Sequence, residues 1–395
     1  MTARRPLLLH VFPSFAVGGA QIRFCAIANR FGAAWRHAIV AIDGNTACRE
    51  RLRHDLMIDH LTVPTRKGDL LGNVLRYRRV LRALGADVLV THNWGSIEWA
   101  MANRLAGLRH VHIEDGFGPE ERERQLPRRV WTRRLVLRGA TVVLPSRTLW
   151  RIATGIWRLN PRQARYIPNG IDLARFAAGG DGTRPPEPVI GTVAALRPEK
   201  NLARLLRAFA IVRRSHRARL AIAGDGPEHA ALRTLAGTLG VADSVCFLGH
   251  LAAPEEAYRR FDIFALSSDT EQMPLSLLEA MAMGLPVAAT DVGDVAAMLA
   301  EPNHRFVTAR DDAALAGALA ALLGDPALRG RLGAANRARA EAEYDQERMF
   351  RSYADLLVGS GAVDPGVVDP GVVDPGVVDP GVVDPGVVDP GVVDP

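Results

Sequence analysis

Residues 267–281 read Ser-Ser-Asp-Thr-Glu-Gln-Met-Pro-Leu-Ser-Leu-Leu-Glu-Ala-Met. A short apolar run, Ile263–Leu266, precedes them, and a helical apolar pattern, Leu275–Met283, follows. This spacing predicts a strand, a loop and the opening of a helix. The first backbone N–H groups of such a helix, around Leu275 and Ser276, have no partners within the helix and are ready to hold a diphosphate. Glu271 stands on the loop, where it can reach a bound sugar. Glu279 lies about one turn into the helix, where its carboxylate can accept hydrogen bonds from ribose hydroxyls. Two glutamates at this spacing also arise by chance, one exposed on a loop and one in a salt bridge.

Working outward, short apolar runs alternate with longer helical patterns. Leu7–Phe12, His37–Ile42, Asp87–Thr91 and Ala140–Leu144 read as strands, with helices at Gln21–Phe31, Asp69–Leu84 and Ile97–Leu105. The rhythm restarts with strands at Val189–Val193, Arg219–Ala223, Val245–Leu248, Ile263–Leu266 and Val287–Ala289. Helices at Leu202–Arg213, Glu228–Leu239 and Leu275–Met283 separate them, and three more follow near Asp311–Leu323, Asp325–Ala342 and Gln346–Val358. A βαβ rhythm implies parallel sheets covered on both faces. The Gly- and Pro-rich stretch Ala177–Pro188 between the halves reads as a linker. The fold class expected is α/β, two Rossmann-like domains facing each other across a cleft.

Length agrees, since 395 residues exceed one ordinary core. From Gly366 the chain is Gly-Val-Val-Asp-Pro six times over, preceded by Ala-Val-Asp-Pro. Proline at every fifth position blocks a helix and interrupts a strand ladder, so this tail is expected to be disordered or extended. The boundaries are 1–172, 173–188 (linker), 189–342, 343–358 (a last helix) and 359–395 (tail).

Cys25, Cys48 and Cys246 show no metal-ligand spacing and read as buried thiols in a reducing compartment. No apolar run is long enough to span a bilayer. Leu7-Leu8-Leu9 after two arginines fits a first strand better than a signal peptide, which gives a cytoplasmic expectation. The net charge of +6 favours anionic partners, though base composition can also enrich arginine.

The 271–279 pair, with Pro274 between and Ala-Met after, resembles the E-x7-E signature of the retaining GT-B glycosyltransferases, the family 4-like group. That group includes glycogen-synthase-like, sucrose-synthase-like and bacterial cell-envelope mannosyl- and glucosyltransferases. Other segments fall in the family's order: Pro168-Asn169-Gly170-Ile171-Asp172, Gly191–Asn201 with Arg197 and Lys200, Ala223-Gly224-Asp225-Gly226-Pro227, Phe247–Leu251 and the Gly18-Gly19 turn. The resemblance implies that Glu271 contacts the donor sugar and Glu279 the ribose. It implies that Arg197 and Lys200 hold the diphosphate, that Gly18, Gly19, Gly224, Leu251, Leu275 and Ser276 border the donor, and that the last helix returns to the first domain. Catalytic weight falls on Glu271, Arg197 and Lys200. The activity implied is hexosyl transfer with retention from a UDP- or GDP-sugar to an acceptor hydroxyl, in cell-envelope polysaccharide or lipid-linked glycan synthesis.

On the acceptor side, His92 ends a predicted strand, where ligands gather in such sheets. At Glu114-Asp115 the family often carries a histidine first; here it is glutamate, so no catalytic histidine transfers, and Glu114 or Asp115 is a candidate contact to sugar or acceptor. The family's glutamate after Gly-Gly is missing near Val292-Gly293-Asp294, a loop expected to be peripheral. No metal motif is evident, Asp43, Asp225 and Asp294 being isolated in sequence, and no cofactor is expected beyond the donor. The segment 122–138 interleaves arginines with Leu126, Val130, Trp131, Leu135 and Val136. It reads either as a helix on an anionic membrane surface, which would put the protein on the cytoplasmic face, or as a helix with apolar side inward and arginines in water. Two competing functions are a nucleotide-sugar epimerase of the same fold and a non-enzymatic nucleotide-binding protein. A nucleic-acid partner is not expected, because no aromatics cluster on a basic sheet.

Overall fold

The structure, a computed structural model, describes residues 4–121, 124–177 and 186–359. The repeat tail and residues 178–185 of the expected linker lie outside the described residues.

The first sheet holds β1 (Leu7–Phe12), β2 (Arg36–Ala41), β3 (Ile58–His60), β4 (Val88–His92), β5 (Arg109–Ile113), β6 (Thr141–Leu144) and β7 (Ala164–Tyr166). All pair in parallel, in the order β3-β2-β1-β4-β5-β6-β7. Its helices are α1 (Gly19–Phe31), α2 (Leu70–Leu84), α3 (Ile97–Ala106), α4 (Pro127–Val136) and α5 (Arg147–Arg151). The second sheet holds β8 (Val189–Val193), β9 (Arg219–Ala223), β10 (Val245–Gly249), β11 (Ile263–Leu266), β12 (Val287–Thr290) and β13 (Val307–Thr308). It is also parallel, ordered β10-β9-β8-β11-β12-β13. With it go α6 (Leu202–Val212), α7 (His229–Thr238), α8 (Glu255–Tyr258), α9 (Leu275–Ala282), α10 (Val295–Met298), α11 (Asp312–Gly324) and α12 (Pro326–Glu343), and a last helix, α13 (Gln346–Leu357), follows in the chain. This is the GT-B fold.

The strands form because β-branched and aliphatic residues are covered on both sheet faces. Leu8, Val88, Val90, Val111 and Val143 pack under α1 and α13, while Leu7, Leu9 and Val11 pack under α2 and α3. Helix α13 thus belongs to the first sheet although it follows the second. Its entry is fixed where Ile171 pairs with Asp345 in parallel, and where a Cβ on Gly170 would stand 2.5 Å from Gln346 Cα. Met349, Phe350, Tyr353 and Leu357 then bury on the first core.

Strand order reverses between β1 and β4, and again between β8 and β11. In doubly wound sheets, ligands bind outside the carboxyl ends of the strands at such reversals. The chain leaving β1 carries Gly18-Gly19, that leaving β8 carries Arg197 and Lys200, and that leaving β11 carries Glu271. Topology alone therefore places three of the sequence motifs at the two ligand-binding points of the fold.

Candidate active site

Lys200 ends a 3-10 turn, Pro198–Lys200, opened by Arg197. Its ammonium donates to Glu271 Oε1 at 2.6 Å, and Ser268 Oγ donates to the same oxygen at 2.7 Å. Ser267 Oγ bonds Lys200 O at 3.0 Å, and Asp269 N bonds Glu199 O at 2.9 Å, so the two loops are stitched side by side. A further pair, Arg204 to Asp269 at 2.7 Å, anchors the stitch to α6. Lys200, Ser268, Glu271 and Ser276 line one small recess with Thr192 and Ala194. Arg197 is exposed and is not among the residues that line this recess.

Helix α9 starts next to this ion pair with no side-chain cap, and Leu277 is the first residue to bond back, to Pro274 O at 3.2 Å. The N–H groups of Leu275 and Ser276 thus have no partner among the described residues and are open to a ligand. Helix α1 likewise begins without a side-chain cap. The two starts meet: a Cβ built on Gly19 would lie 3.6 Å from Leu275 Cδ1. Two positive helix ends and the Lys200 ammonium therefore border one gap, an arrangement suited to a diphosphate.

Glycines hold the loops in place. At Gly293, φ is +57° and a Cβ would meet Glu271 O at 2.2 Å. At Gly224, φ is +130° and a Cβ would meet Ala194 O at 1.9 Å, while its N–H already donates to Gly249 O. Gly224 thus shapes the 194–200 loop and has no N–H left for a donor. Leu251 is half-buried and packs on the second domain's core, as Leu275 does. Glu279 is half-buried on α9, its Oε2 accepting from Tyr258 Oη at 2.7 Å. Burial raises its carboxyl above the ordinary carboxylate range, against the Tyr258 hydrogen bond and the charge of Arg175.

The acceptor-side expectations need correction. Glu114 is fully buried, bonded to the equally buried Arg133 at 3.2 Å, and cannot reach an acceptor. His92 is 2% exposed and turns inward, its Nε2 lying 3.5 Å from His10 Nδ1 and its ring stacked on Phe12. Asp115 is near the cleft, but Arg23 holds both its oxygens, at 2.6 and 3.0 Å.

That pair belongs to a junction the sequence did not disclose. Arg23 also bonds Asn169 at 2.8 Å, and Asn169 Nδ2 bonds Met273 O at 3.0 Å. Asp294, taken as isolated on a peripheral loop, receives Arg147 N at 2.5 Å, Thr148 N at 3.0 Å and Thr148 Oγ1 at 2.6 Å, so it caps α5 of the opposite domain. An arginine on the otherwise apolar face of α1 was the one local sign of this junction. Cys25 and Cys48 are buried as expected; Cys246 is exposed.

Sequence comparison agrees with this architecture. The family described as Glycosyltransferase Family 4 matches residues 17–175, and Glycosyl transferases group 1 matches 180–339. The chain belongs to the glycosyltransferases built from these two domains. It is 33% identical to an exopolysaccharide phosphotransferase of Streptomyces coelicolor over 73% of the chain, but spans only 29% of that protein. It is 27% identical to the D-inositol 3-phosphate glycosyltransferase of Stackebrandtia nassauensis, over 74% of each. HepE from Anabaena, solved with UDP, superposes with a TM-score of 0.75 at 19% identity, over 89% of this chain and 99% of that one. HepE has also been solved with UDP-glucose. At that identity the likeness establishes the fold of this glycosyltransferase, not its ligand.

The segment 122–138 departs from the reading with its apolar side inward and its arginines in water. Residues 122 and 123 lie outside the described residues. On α4, Arg129 and Arg133 point inward, Arg133 pairing with Glu121 and Glu114, while Trp131 and Leu135 are exposed. Among the described residues, no helix is long and apolar enough to cross a membrane.

Proposed function

We propose that this glycosyltransferase moves a hexosyl group, with retention, from a UDP- or GDP-sugar to an acceptor hydroxyl. The observation that carries the reading is the Lys200–Glu271 pair beside the uncapped start of α9, faced by Gly18-Gly19 across the gap. The donor diphosphate lies between the two helix starts, with Lys200 and Arg197 on its oxygens. As the bond to the sugar breaks, charge gathers on the leaving diphosphate, and fixed cations and N–H dipoles lower that barrier. Glu271, held by Lys200 and Ser268, orients the sugar hydroxyls. The acceptor hydroxyl attacks from the side the diphosphate leaves, and a donor phosphate oxygen takes its proton. Side chains and helix ends supply the positive charge, so the reading requires no metal. The UDP complexes of HepE support a nucleotide donor by analogy of fold.

The acceptor in this reading is a cell-envelope glycan or lipid-linked saccharide. Helices α2, α3 and α4 form one layer over the first sheet. Its outer side exposes Leu71, Leu75, Trp131 and Leu135 among Arg79, Arg128 and Arg138. Exposed apolar side chains set among arginines suit the cytoplasmic face of an anionic membrane.

Thermal-shift measurement with UDP, GDP and ADP and their sugars tests the donor. One nucleotide series should stabilise the protein, and Glu271→Ala should abolish turnover while leaving the fold intact. Undiminished turnover by that variant would remove the assignment.

A further inference from the structure

Tyr258 closes α8 and is fully buried. Its ring is wedged between Phe176, Phe261 and Phe264, with centroids 6.0, 5.6 and 5.8 Å away. The wedge fixes the phenol, and the hydroxyl emerges at the second acidic residue of the 271–279 pair. It stands 2.7 Å from Glu279 Oε2 and 3.1 Å from Ser276 O. A phenol has one proton to donate, and the carboxylate is both nearer and the stronger acceptor. Glu279 Oε1 receives no hydrogen bond from the described residues. Nearby, Arg175 is held by Glu255 at 2.8 Å and adds positive potential.

A glutamate on a helix has three rotatable bonds, and fixing them carries an entropy cost if the ligand alone must do it. A rigid aromatic anchor removes that cost in advance, as a well-supported site requires. We propose that Tyr258 is a positioning residue for nucleotide recognition: its hydroxyl holds Oε2 of Glu279 so that Oε1 faces the donor's ribose hydroxyls. This rests on the reading of Glu279 as the ribose contact. The consequence is selectivity for ribose over deoxyribose, set by a residue that never touches the nucleotide.

The experiment compares UDP and GDP with their 2′,3′-dideoxy counterparts by calorimetry, on wild type, Glu279→Gln and Tyr258→Phe. Wild type should prefer the ribonucleotide. Glu279→Gln should lose most of that preference. Tyr258→Phe should lower ribonucleotide affinity about tenfold or more, the worth of a hydrogen bond to a charged group, and leave dideoxynucleotide affinity unchanged. It should also move the acid limb of ribonucleotide affinity to higher pH, because the phenol's hydrogen bond favours the ionised carboxylate. Loss of preference in Glu279→Gln but not in Tyr258→Phe overturns the role of Tyr258 alone. Full preference in Glu279→Gln, or no nucleotide binding to wild type, overturns the ribose reading and the role of Tyr258 with it. If Tyr258→Phe does not fold, 3,5-difluorotyrosine placed at 258 keeps the shape with a stronger donor. The preference should then rise, and an unchanged preference rejects the proposal.

Discussion

Lys200 and Glu271 are joined by a 2.6 Å hydrogen-bonded ion pair that bridges the loops leaving β8 and β11, the two strands between which the second sheet reverses order. The pair keeps a cation and a carboxylate at one edge of the same recess, one suited to phosphate oxygens and the other to sugar hydroxyls.

Lys200→Ala removes that cation without hollowing the core, since its side chain is one-quarter exposed. Stability should change by no more than about 1 kcal/mol. The catalytic constant should drop about 100- to 1000-fold, the usual effect of deleting one group that stabilises transition-state charge. Steady-state turnover with the identified donor, beside a melting curve, checks both. Wild-type turnover would show that the leaving group is stabilised elsewhere.

Gly19→Ala tests the gap itself. The added methyl would sit 3.6 Å from Leu275 Cδ1, an ordinary contact, so the unliganded protein should melt as wild type does. With a diphosphate between α1 and α9 the same methyl is in the way. Overpacking of about 1–3 kcal/mol corresponds to a roughly tenfold or greater loss of nucleotide affinity. Unchanged affinity by calorimetry would place the nucleotide away from this turn.

The central strands were legible because burial on both faces requires unbroken apolar runs. Leu7–Phe12, Arg219–Ala223 and Ile263–Leu266 fall where the sequence puts them. Strands β3, β7 and β13 were not legible. They are two or three residues long at or near sheet edges, only Ala164 of their residues being buried, so no pattern selects them. Strand β5 was hidden differently: Arg-His-Val-His-Ile looks polar, yet His110 Nε2 and His112 Nδ1 each meet Thr91 Oγ1 on β4 at 2.8 Å. In the site, helix starts and motif loops were readable locally. Partners supplied from remote chain were not: Tyr258 for Glu279, Arg133 for Glu114, and Arg23 for Asp115.

Asp294→Ala tests the junction. The variant strips α5 of its second, cross-domain cap and leaves the part-buried N–H groups of Arg147 and Thr148 to water, while Ser146 still caps Leu149 N, a cost of about 0.5–2 kcal/mol. Because the cap comes from the opposite domain, the loss should also loosen the cleft, seen as a larger radius of gyration in small-angle scattering. A lower melting point with an unchanged radius would confine Asp294 to local stability.

Flotation with phosphatidylglycerol vesicles tests the α2–α3–α4 face. Wild type should bind and be released by high salt, while vesicles of zwitterionic lipid should leave it in solution. Each arginine removed should cost about 1 kcal/mol of binding. Arg128→Gln with Arg138→Gln should therefore weaken flotation markedly, and Trp131→Ser should weaken it without altering the salt response. Salt-independent flotation, or none, would remove the membrane from the functional reading.

Acid should destabilise the first domain through its buried histidines. His37, His10 and His92 form a chain under α1, with ring nitrogens 3.4 and 3.5 Å apart. Burial drives His10 and His92 well below the ordinary imidazole value, His37 down to about 4, and His110 down to about 3. The folded protein therefore keeps them neutral while the unfolded chain takes up protons below about pH 6.5. Their contribution is complete above that pH and declines as the pH falls, by about 1.4 kcal/mol per unit for each histidine, until the folded value is reached. Between pH 8 and pH 5 that is about 2 kcal/mol for His37 alone. His37→Gln should narrow the stability difference between those pH values by this amount in urea titrations. Any packing lost by the substitution acts equally at both pH values and cancels. A difference as wide as in wild type would mean that His37 is already protonated in the folded state, contrary to its burial beside His10.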